Sequence, residues 1–360
     1  MVIVSVAIQR LDAIAGQASR LISKSLKWPV VFVIALVLIG CDSSNQMHKL
    51  SGSAQGTTWH VSVWQSGGLD VNALQQRIDV EFNRLDRSLS NYRSDSDIER
   101  FNATETTAPV EVGSEIVELV EAAKQVSQAS QGCYDLTIKP LFDLWGFSGQ
   151  TLIPPDPVTL TQQLQHISFS KLVTPTPTQL RKTDPQLHVD LSSIAQGYSV
   201  GRIATLVEAA GIQNYLVEIG GELQTRGHKP DGSPWRIGVE RPLPGGRSVQ
   251  KTLTIRQDAP VSVMTSGTYR HYFDEQGKRY SHVLDARTGK PVTHNTVSVI
   301  NDNPTVADAW STALLCLGRE AGIPIANENG IAALFITTHN NQFEEAATHR
   351  WHSMKTIEVH

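Results

Sequence analysis

The chain has 360 residues, of which 40% are apolar and 18% charged, with a formal net charge of −4 at pH 7. This is enough apolar mass for a packed core, and the absence of a basic excess excludes a nucleic-acid-binding surface built on bulk charge. Three cysteines are too few for a disulfide scaffold, so an apolar core must carry the fold.

The leader carries Arg10, Arg20, Lys24 and Lys27 against a single acid, Asp12, and the apolar run Trp28 to Ile39 follows. That run is shorter than the roughly 20 residues a transmembrane helix needs. It ends in Leu38-Ile39-Gly40-Cys41, and the whole segment resembles the signal peptide and lipobox of bacterial lipoproteins. The alternative is a signal anchor or plain secretory signal in which Cys41 is incidental. The resemblance implies cleavage before Cys41 and its lipidation, so residues 1–40 are a signal peptide and 41–50 a polar tether on the periplasmic side of the membrane. Asp42 resembles the inner-membrane retention signal of enterobacterial lipoproteins. The length of the leader also fits a translation start downstream of Met1. Behind it, Cys133 and Cys316 permit one disulfide.

Thr58 to Trp64 alternates like an edge or half-buried strand. Leu74, Ile78, Phe82, Leu85 and Leu89 then recur at spacings of one helical face. A second helix is predicted over Ser114 to Ser130, with Ser114 as its N-cap and Ile116, Leu119, Ala123 and Val126 on one side. Residues 148–185, rich in Pro, Thr and Gln, read as an irregular excursion with one short helix. Leu187 to Leu191 reads as a strand, Ser193 to Ala210 as a helix, and Tyr215 to Ile219 as a strand ending at Gly220-Gly221. Strands dominate from Trp235 to Val299, with turns at Pro242 to Arg247 and Asp285 to Pro291. A last helix over Thr305 to Leu317 precedes a strand at Ala332 to Thr337. Strands and helices without a βαβ rhythm predict an α+β fold: mixed sheets with packed helices in a single compact catalytic body over 51–345, with a C-terminal tail at 346–360.

Four clusters can carry chemistry. Asp308 and Thr312 are four apart and share a helical face, a carboxylate and hydroxyl suited to a hard cation such as Mg²⁺. An Asp near a helix start also serves as an ordinary dipole-favoured residue. Val189 to Tyr198 is a strand entering a helix, where free backbone N–H groups and Asp190 could meet an anion or simply cap the helix. Gln131 to Leu141, with Leu144-Trp145-Gly146-Phe147 behind it, places Gly132 where backbone could approach a ligand, although Asp135 and Thr137 could form only a turn. Finally, Thr265-Ser266-Gly267 and Tyr280 to Pro291 include His282 three residues before Asp285, a possible base with an orienting carboxylate.

In order and wording these clusters resemble the ApbE family of FAD:protein FMN transferases. The family's patterns are S-x-Y-x-x-x-S, G-x-x-D-x-T-x-x-P-L-x-x-x-W-G-F, D-L-x-x-I-A-K-G-Y, V-x-x-G-G, T-S-G-x-Y, Y-S-H-I-x-D-P-x-T-G-x-P and A-D-A-x-x-T. This chain supplies Ser90-Asn91-Tyr92 with Ser96, Gly132 to Phe147, Asp190 to Tyr198, Val217 to Gly221, Thr265 to Tyr269, Tyr280 to Pro291 and Ala307 to Thr312, spanning about residues 50 to 340. The resemblance implies FAD contacts at Gln55, Tyr92, Cys133, Tyr134, Asp135, Asp190, Gln196 and Leu284, some through backbone atoms. It implies a Mg²⁺ site at Asp308 and Thr312, with Ser193 through its carbonyl and Ser311 as a further candidate, and a His282 that activates the acceptor hydroxyl. Gln196 stands where the family commonly has Lys, leaving Lys290 or an Arg to supply charge, and Ala286 replaces a Pro.

The implied reaction moves the FMN moiety of FAD onto a Thr or Ser hydroxyl of a partner protein, with AMP leaving. A Mg²⁺-dependent FAD pyrophosphatase and a non-catalytic FAD-binding lipoprotein are the alternatives. By family analogy the acceptors are membrane subunits of Na⁺-translocating NADH:quinone reductase or of Rnf-type complexes, and the enzyme sits lipid-anchored at the inner membrane.

Overall fold

The apolar stripe from Leu74 to Leu89 forms the buried face of helix α1 (Val71–Leu89), whose Asp70 cap accepts from the Ala73 N–H. Burying each such side chain contributes roughly 1.5–3 kcal/mol, which holds the helix on the sheet below it. The computed structural model describes residues 45–360 except 148–151, 243–247, 269–271, 276–277, 294–295 and 340–341. Cys41, the signal peptide and residues 42–44 of the expected tether lie outside the described residues, as does Tyr269; the rest of the tether is described, and its last three residues, His48 to Leu50, already pair with the strand Thr57–Trp64.

Eight antiparallel strands form the central sheet in the order β1 (His48–Ala54), β2 (Thr57–Trp64), β6 (Asn214–Ile219), β7 (Glu222–Arg226), β10 (Val261–Gly267), β15 (Thr296–Asn301), β16 (Ala332–His339) and β17 (Gln342–Ala347). Strand alternation feeds two cores. Trp59, Val61, Val63, Tyr215, Val217, Val297, Val299, Ala333 and Phe335 face the helices, whereas Leu223, Val261, Val263, Ala332, Leu334 and Ile336 face a second, three-stranded sheet. That sheet has the order β18 (Ile357–Val359), β9 (Val249–Ile255), β8 (Trp235–Glu240). The architecture is α+β, as expected from the sequence.

On the helical face lie α1, α2 (Asp97–Ala103), α3 (Ser114–Ala129), α6 (Ser192–Ala209) and α7 (Pro304–Glu328). Helices α6 and α7 meet without a side chain between them at Gly197. A Cβ there would lie 2.5 Å from the Pro304 carbonyl oxygen and 2.6 Å from Asp308 Cβ. A third, smaller core of Ile138, Leu141, Trp145, Leu160, Leu284 and Ala286 joins α4 (Lys139–Trp145) and α5 (Pro157–Leu164) to the hairpin of β13 (Leu284–Asp285) and β14 (Lys290–Pro291).

Several local expectations are corrected. Of the edge and half-buried readings of Thr58 to Trp64 the half-buried one holds, since β2 lies between β1 and β6 with one face buried. Ser114 is the first helical residue of α3, and the cap position belongs to Gly113, at φ 84°, with no side-chain cap bond. The excursion at 148–185 holds, besides α5, the paired strands β4 (Leu172–Thr176) and β5 (Gln179–Lys182), with β5 also pairing β3 (Val110–Glu111). Leu187 to Leu191 is not a strand. Helix α7 runs on past Leu317 across a break at Gly318, whose φ of 73° and ψ of 175° are not helical. Residues 346–360 are not a loose tail: α8 (His349–His352) buries Trp351, and β18 pairs with β9 from Ile357 to Val359.

Candidate active site

The segment before α6 shows how the site is built. Val189 has no neighbouring strand to satisfy its peptide groups, and Asn102 of α2 takes that role. Asn102 Nδ2 donates to the Val189 carbonyl at 2.9 Å, and the Val189 N–H donates to Asn102 Oδ1 at 2.7 Å. Asn91 repeats the pattern one step on, donating to the same carbonyl at 2.8 Å and accepting from the Leu191 N–H at 2.7 Å. The Asp190 N–H donates to Leu136 at 2.7 Å, tying this stretch to the loop after α3. Two asparagine side chains therefore replace a β-ladder and fix where α6 begins. Lys182, also buried, donates to the carbonyls of Asn102 and Leu187, and burial pushes its ammonium below the ordinary lysine range.

Above this frame opens a cleft of about 1270 Å³, large enough for a dinucleotide-sized ligand. Gln55, Tyr92, Cys133, Tyr134, Asp135, Ser193, Gln196, His282, Leu284, Asp308 and Thr312 all line it. Two expected site residues do not. Asp190 is buried behind the wall, where Oδ1 accepts from the Ser192 N–H at 2.8 Å and from its hydroxyl, so its carboxylate holds the first residue of α6 from one position before the cap residue Leu191. Ser311 points into the interior, with Oγ 2.7 Å from Ser266 Oγ and donating to the Asp308 carbonyl at 2.9 Å.

Asp308 is the electrostatic centre. It is 5% exposed, and burial pushes its carboxyl up to about 7 although the Gly197 N–H donates to Oδ2 at 2.7 Å. One turn along α7, Thr312 Oγ1 lies 3.0 Å from Ser266 Oγ. Across the cleft, Ser193 Oγ donates to Tyr134 Oη at 3.2 Å, and burial raises the Tyr134 phenol well above its usual range.

The flavin-side candidates divide into tethered and open groups. Asp135 is a local clamp, accepting from the Thr137 N–H and hydroxyl at 2.8 and 2.7 Å and from the Phe169 N–H at 2.9 Å. Gln196 Nε2 donates to the Ile219 carbonyl at 2.9 Å. Gln55, at the β1–β2 turn, donates to Ser199 at 2.8 Å, while its buried Oε1 has no hydrogen-bond partner among the described residues. Tyr92 is 83% exposed, an aromatic ring left uncovered at the rim. His282 is half-buried in the bend before β13. Lys290 does not line the cleft, so it does not supply the charge that Gln196 lacks; Arg93 and Arg236 are the Lys or Arg residues among the described lining.

The sequence reading missed Asn91, Asn102, Ser266 and Gly197 as structural members of the site. Ser266 lay inside a quoted Thr-Ser-Gly motif, and Asn91 inside Ser-Asn-Tyr, but nothing local marks Asn102. The cysteines that line the wall are joined: Cys133 and Cys316 form a disulfide with Cα atoms 6.0 Å apart.

The family model described as the ApbE family matches residues 55–335. The chain belongs to the ApbE family. It is 36% identical over 327 residues to an FAD:protein FMN transferase of Vibrio cholerae, covering 89% of this chain and 96% of that protein. It is 34% identical over 331 residues to the FAD:protein FMN transferase of Escherichia coli K12, covering 86% and 92%. Its fold matches the flavin transferase ApbE of Vibrio cholerae with a TM-score of 0.78, at 34% identity and over 86% of this chain and 99% of that one. It also matches the apo flavinyl transferase ApbE of Pseudomonas stutzeri with a TM-score of 0.78, at 38% identity and over 85% and 96%. The motifs that define this ApbE chain are those brought together at the cleft.

Replacing Asn102 tests the frame. Asn102→Ala leaves the buried Val189 N–H unsatisfied, while Asn91 still serves the Val189 carbonyl, and should destabilise the fold by about 1–3 kcal/mol. A thermal or urea melt measures this, and an unchanged midpoint would remove Asn102 from its supporting role.

Proposed function

We propose that this chain transfers the FMN moiety of FAD to a Ser or Thr hydroxyl of a target protein, with Mg²⁺ held by Asp308 and Thr312 and assisted by Ser193. The observation that carries the metal is Asp308. A buried carboxylate that accepts from a backbone N–H but has no cationic partner among the described residues is costly, and a hard cation with oxygen ligands relieves that cost. A donor set of one carboxylate and hydroxyl oxygens fits Mg²⁺ and would leave positions for phosphate oxygens. When bound, Mg²⁺ supplies charge neutralisation for the pyrophosphate.

The chain's own groups supply the rest. The exposed Tyr92 ring offers a stacking face that excludes water from the flavin side. The acceptor oxygen attacks the phosphorus of the FMN half, its bond to that phosphorus forms, and the P–O bond to AMP breaks. His282 takes the proton of the attacking hydroxyl. The same cleft would run FAD hydrolysis if water reached the phosphorus, or bind FAD without reacting. Incubation with FAD, Mg²⁺ and an acceptor separates these outcomes: flavin that survives denaturation on the acceptor marks transfer, free FMN with AMP marks hydrolysis, and intact FAD marks a carrier.

For the setting, we propose lipidation at Cys41 and an inner-membrane, periplasm-facing location, with acceptor subunits of Na⁺-translocating NADH:quinone reductase or Rnf-type complexes. The support is the leader's basic, apolar and cysteine pattern together with the family resemblance.

Asp308→Asn keeps an acceptor for the Gly197 N–H but removes the charge, so transfer should fall to background at all Mg²⁺ concentrations while the melt stays near wild type. Retention of the wild-type Mg²⁺ titration would place the metal elsewhere. His282→Asn should leave FAD affinity nearly unchanged and slow single-turnover transfer by roughly 10²–10⁴-fold; an unimpaired rate would pass the proton to another group. Cys41→Ser should lose incorporation of labelled fatty acid, and equal labelling would refute the anchor.

A further inference from the structure

Cys316 follows Asp308 and Thr312 at the same spacing of four, so the three side chains lie in one row on α7. All three line the cleft. The disulfide partner, Cys133, sits in the opposite wall, immediately before Tyr134 and Asp135. Cys316 also lies two residues before the break at Gly318, where regular helical hydrogen bonding can no longer hold that end of α7. At the other end, Gly197 packs against Pro304 and donates to Asp308. The row that carries the metal-side groups is thus pinned at one end by packing and at the other by a covalent bond to the flavin-side loop. The loop is further held where the Ala286 N–H donates to the Cys133 carbonyl at 3.1 Å and Tyr134 meets Ser193.

Resting on the transferase reading of this cleft, we propose that the Cys133–Cys316 disulfide is a positioning bond for the reaction: it sets the flavin-side loop against the metal-side row of α7, and the site reaches full competence only when oxidised. Formation removes one hydrogen from each thiol. One S–S bond forms as two S–H bonds break, and the two electrons and two protons pass to a disulfide-bearing oxidant, which leaves as two thiols. Cys316 is 5% exposed and Cys133 is fully buried with Arg287 Nη2 donating to its sulfur at 3.3 Å. Both cysteines are thus buried, and in the reverse direction the Arg287 donor favours Cys133 as the leaving sulfur. A merely stabilising cross-link would shift the melt alone, whereas a positioning bond must also move ligand affinity and rate in the folded protein.

The test uses the full-length protein with its disulfide confirmed by thiol titration, at a temperature where circular dichroism shows oxidised and reduced forms both folded. FAD affinity is read by fluorescence, and single-turnover FMN transfer is measured with a recombinant subunit of Na⁺-translocating NADH:quinone reductase as acceptor. Reduction by a phosphine should weaken FAD binding and slow transfer by about tenfold or more, the scale expected when a site is displaced by a fraction of an ångström. Oxidised glutathione should restore both after the phosphine is removed. The double variant Cys133→Ala/Cys316→Val should hold the reduced-form values with or without reductant, and it provides the comparison if reduction unfolds the wild type. FAD affinity that falls and recovers while no redox form transfers FMN would sink the transferase reading and keep the positioning role. Unchanged FAD affinity and rate in the folded reduced protein or in the folded double variant would overturn the proposal, whatever the melting shift.

Discussion

The contact between the Gly197 N–H and Asp308 Oδ2, 2.7 Å long, is where the fold and the site become one object. It requires α6 and α7 to approach so closely that position 197 cannot carry a Cβ. That approach buries the Asp308 carboxyl and raises its proton affinity. It also sets Ser193, one turn earlier on α6, across from Thr312, one turn later on α7. The surrounding structure serves to keep these helices at that separation. The sheet supports both from below through Val217, Val297, Val299 and Phe335, and the N-terminus of α6 is fixed through Asn91 and Asn102. A site that keeps a charge-seeking carboxylate dry needs such a frame, because a looser one would let water in and dissipate the electrostatic tension.

What could be read from the sequence follows from how local each signal is. The face of α1 from Leu74 to Leu89 was legible because its period is written in five residues, all buried as expected. The cleft was legible through its motifs, since Asp308, Thr312, His282, Tyr92 and Gln55 do converge on one wall or another. The failures are of a different kind. Leu187 to Leu191 has the apolar alternation of a strand, but beyond an isolated bridge of His188 to Ile138 and the Leu136 carbonyl its partners are two amide side chains about a hundred residues upstream, and no pattern in the segment reports that. Ser114 offered cap chemistry, yet Gly113 one residue earlier can adopt φ 84° and takes the cap position. Residues 346–360 looked like a tail because β18 is only three residues long, and its pairing with β9 is a tertiary fact.

Asp135 and Asp190 illustrate how a motif residue can belong to a site without touching its ligand through the side chain. Both carboxylates are occupied by hydrogen bonds from their own neighbourhood, Asp135 from Thr137 and Phe169, and Asp190 from Ser192. Their work is to shape backbone: one bends the loop that presents Cys133 and Tyr134, the other holds the first residue of α6. Tyr92 shows the opposite character, with a ring left uncovered at the rim of the cleft. Groups of the first kind make a scaffold, and groups of the second kind await a partner.

The charge on the walls bears on the proposed Mg²⁺ requirement. Among the described lining residues, Asp86, Asp135, Glu218, Glu222, Glu240 and Asp308 are acidic, while Arg93 and Arg236 are the guanidinium cations. Arg93 is itself engaged by Asp86 and Asp95 at 3.2 and 2.8 Å. Gln196 adds no charge and is tethered to the Ile219 carbonyl. A pyrophosphate entering this cleft therefore meets more negative than positive side chains, and the mismatch grows as Asp308 ionises. In a partly desolvated space, that repulsion is screened far less than in bulk water. A divalent cation held by Asp308, as proposed, would neutralise that carboxylate and supply the positive charge the walls lack. With no Lys in the described lining and Gln196 uncharged, the proposed metal would carry most of that neutralisation.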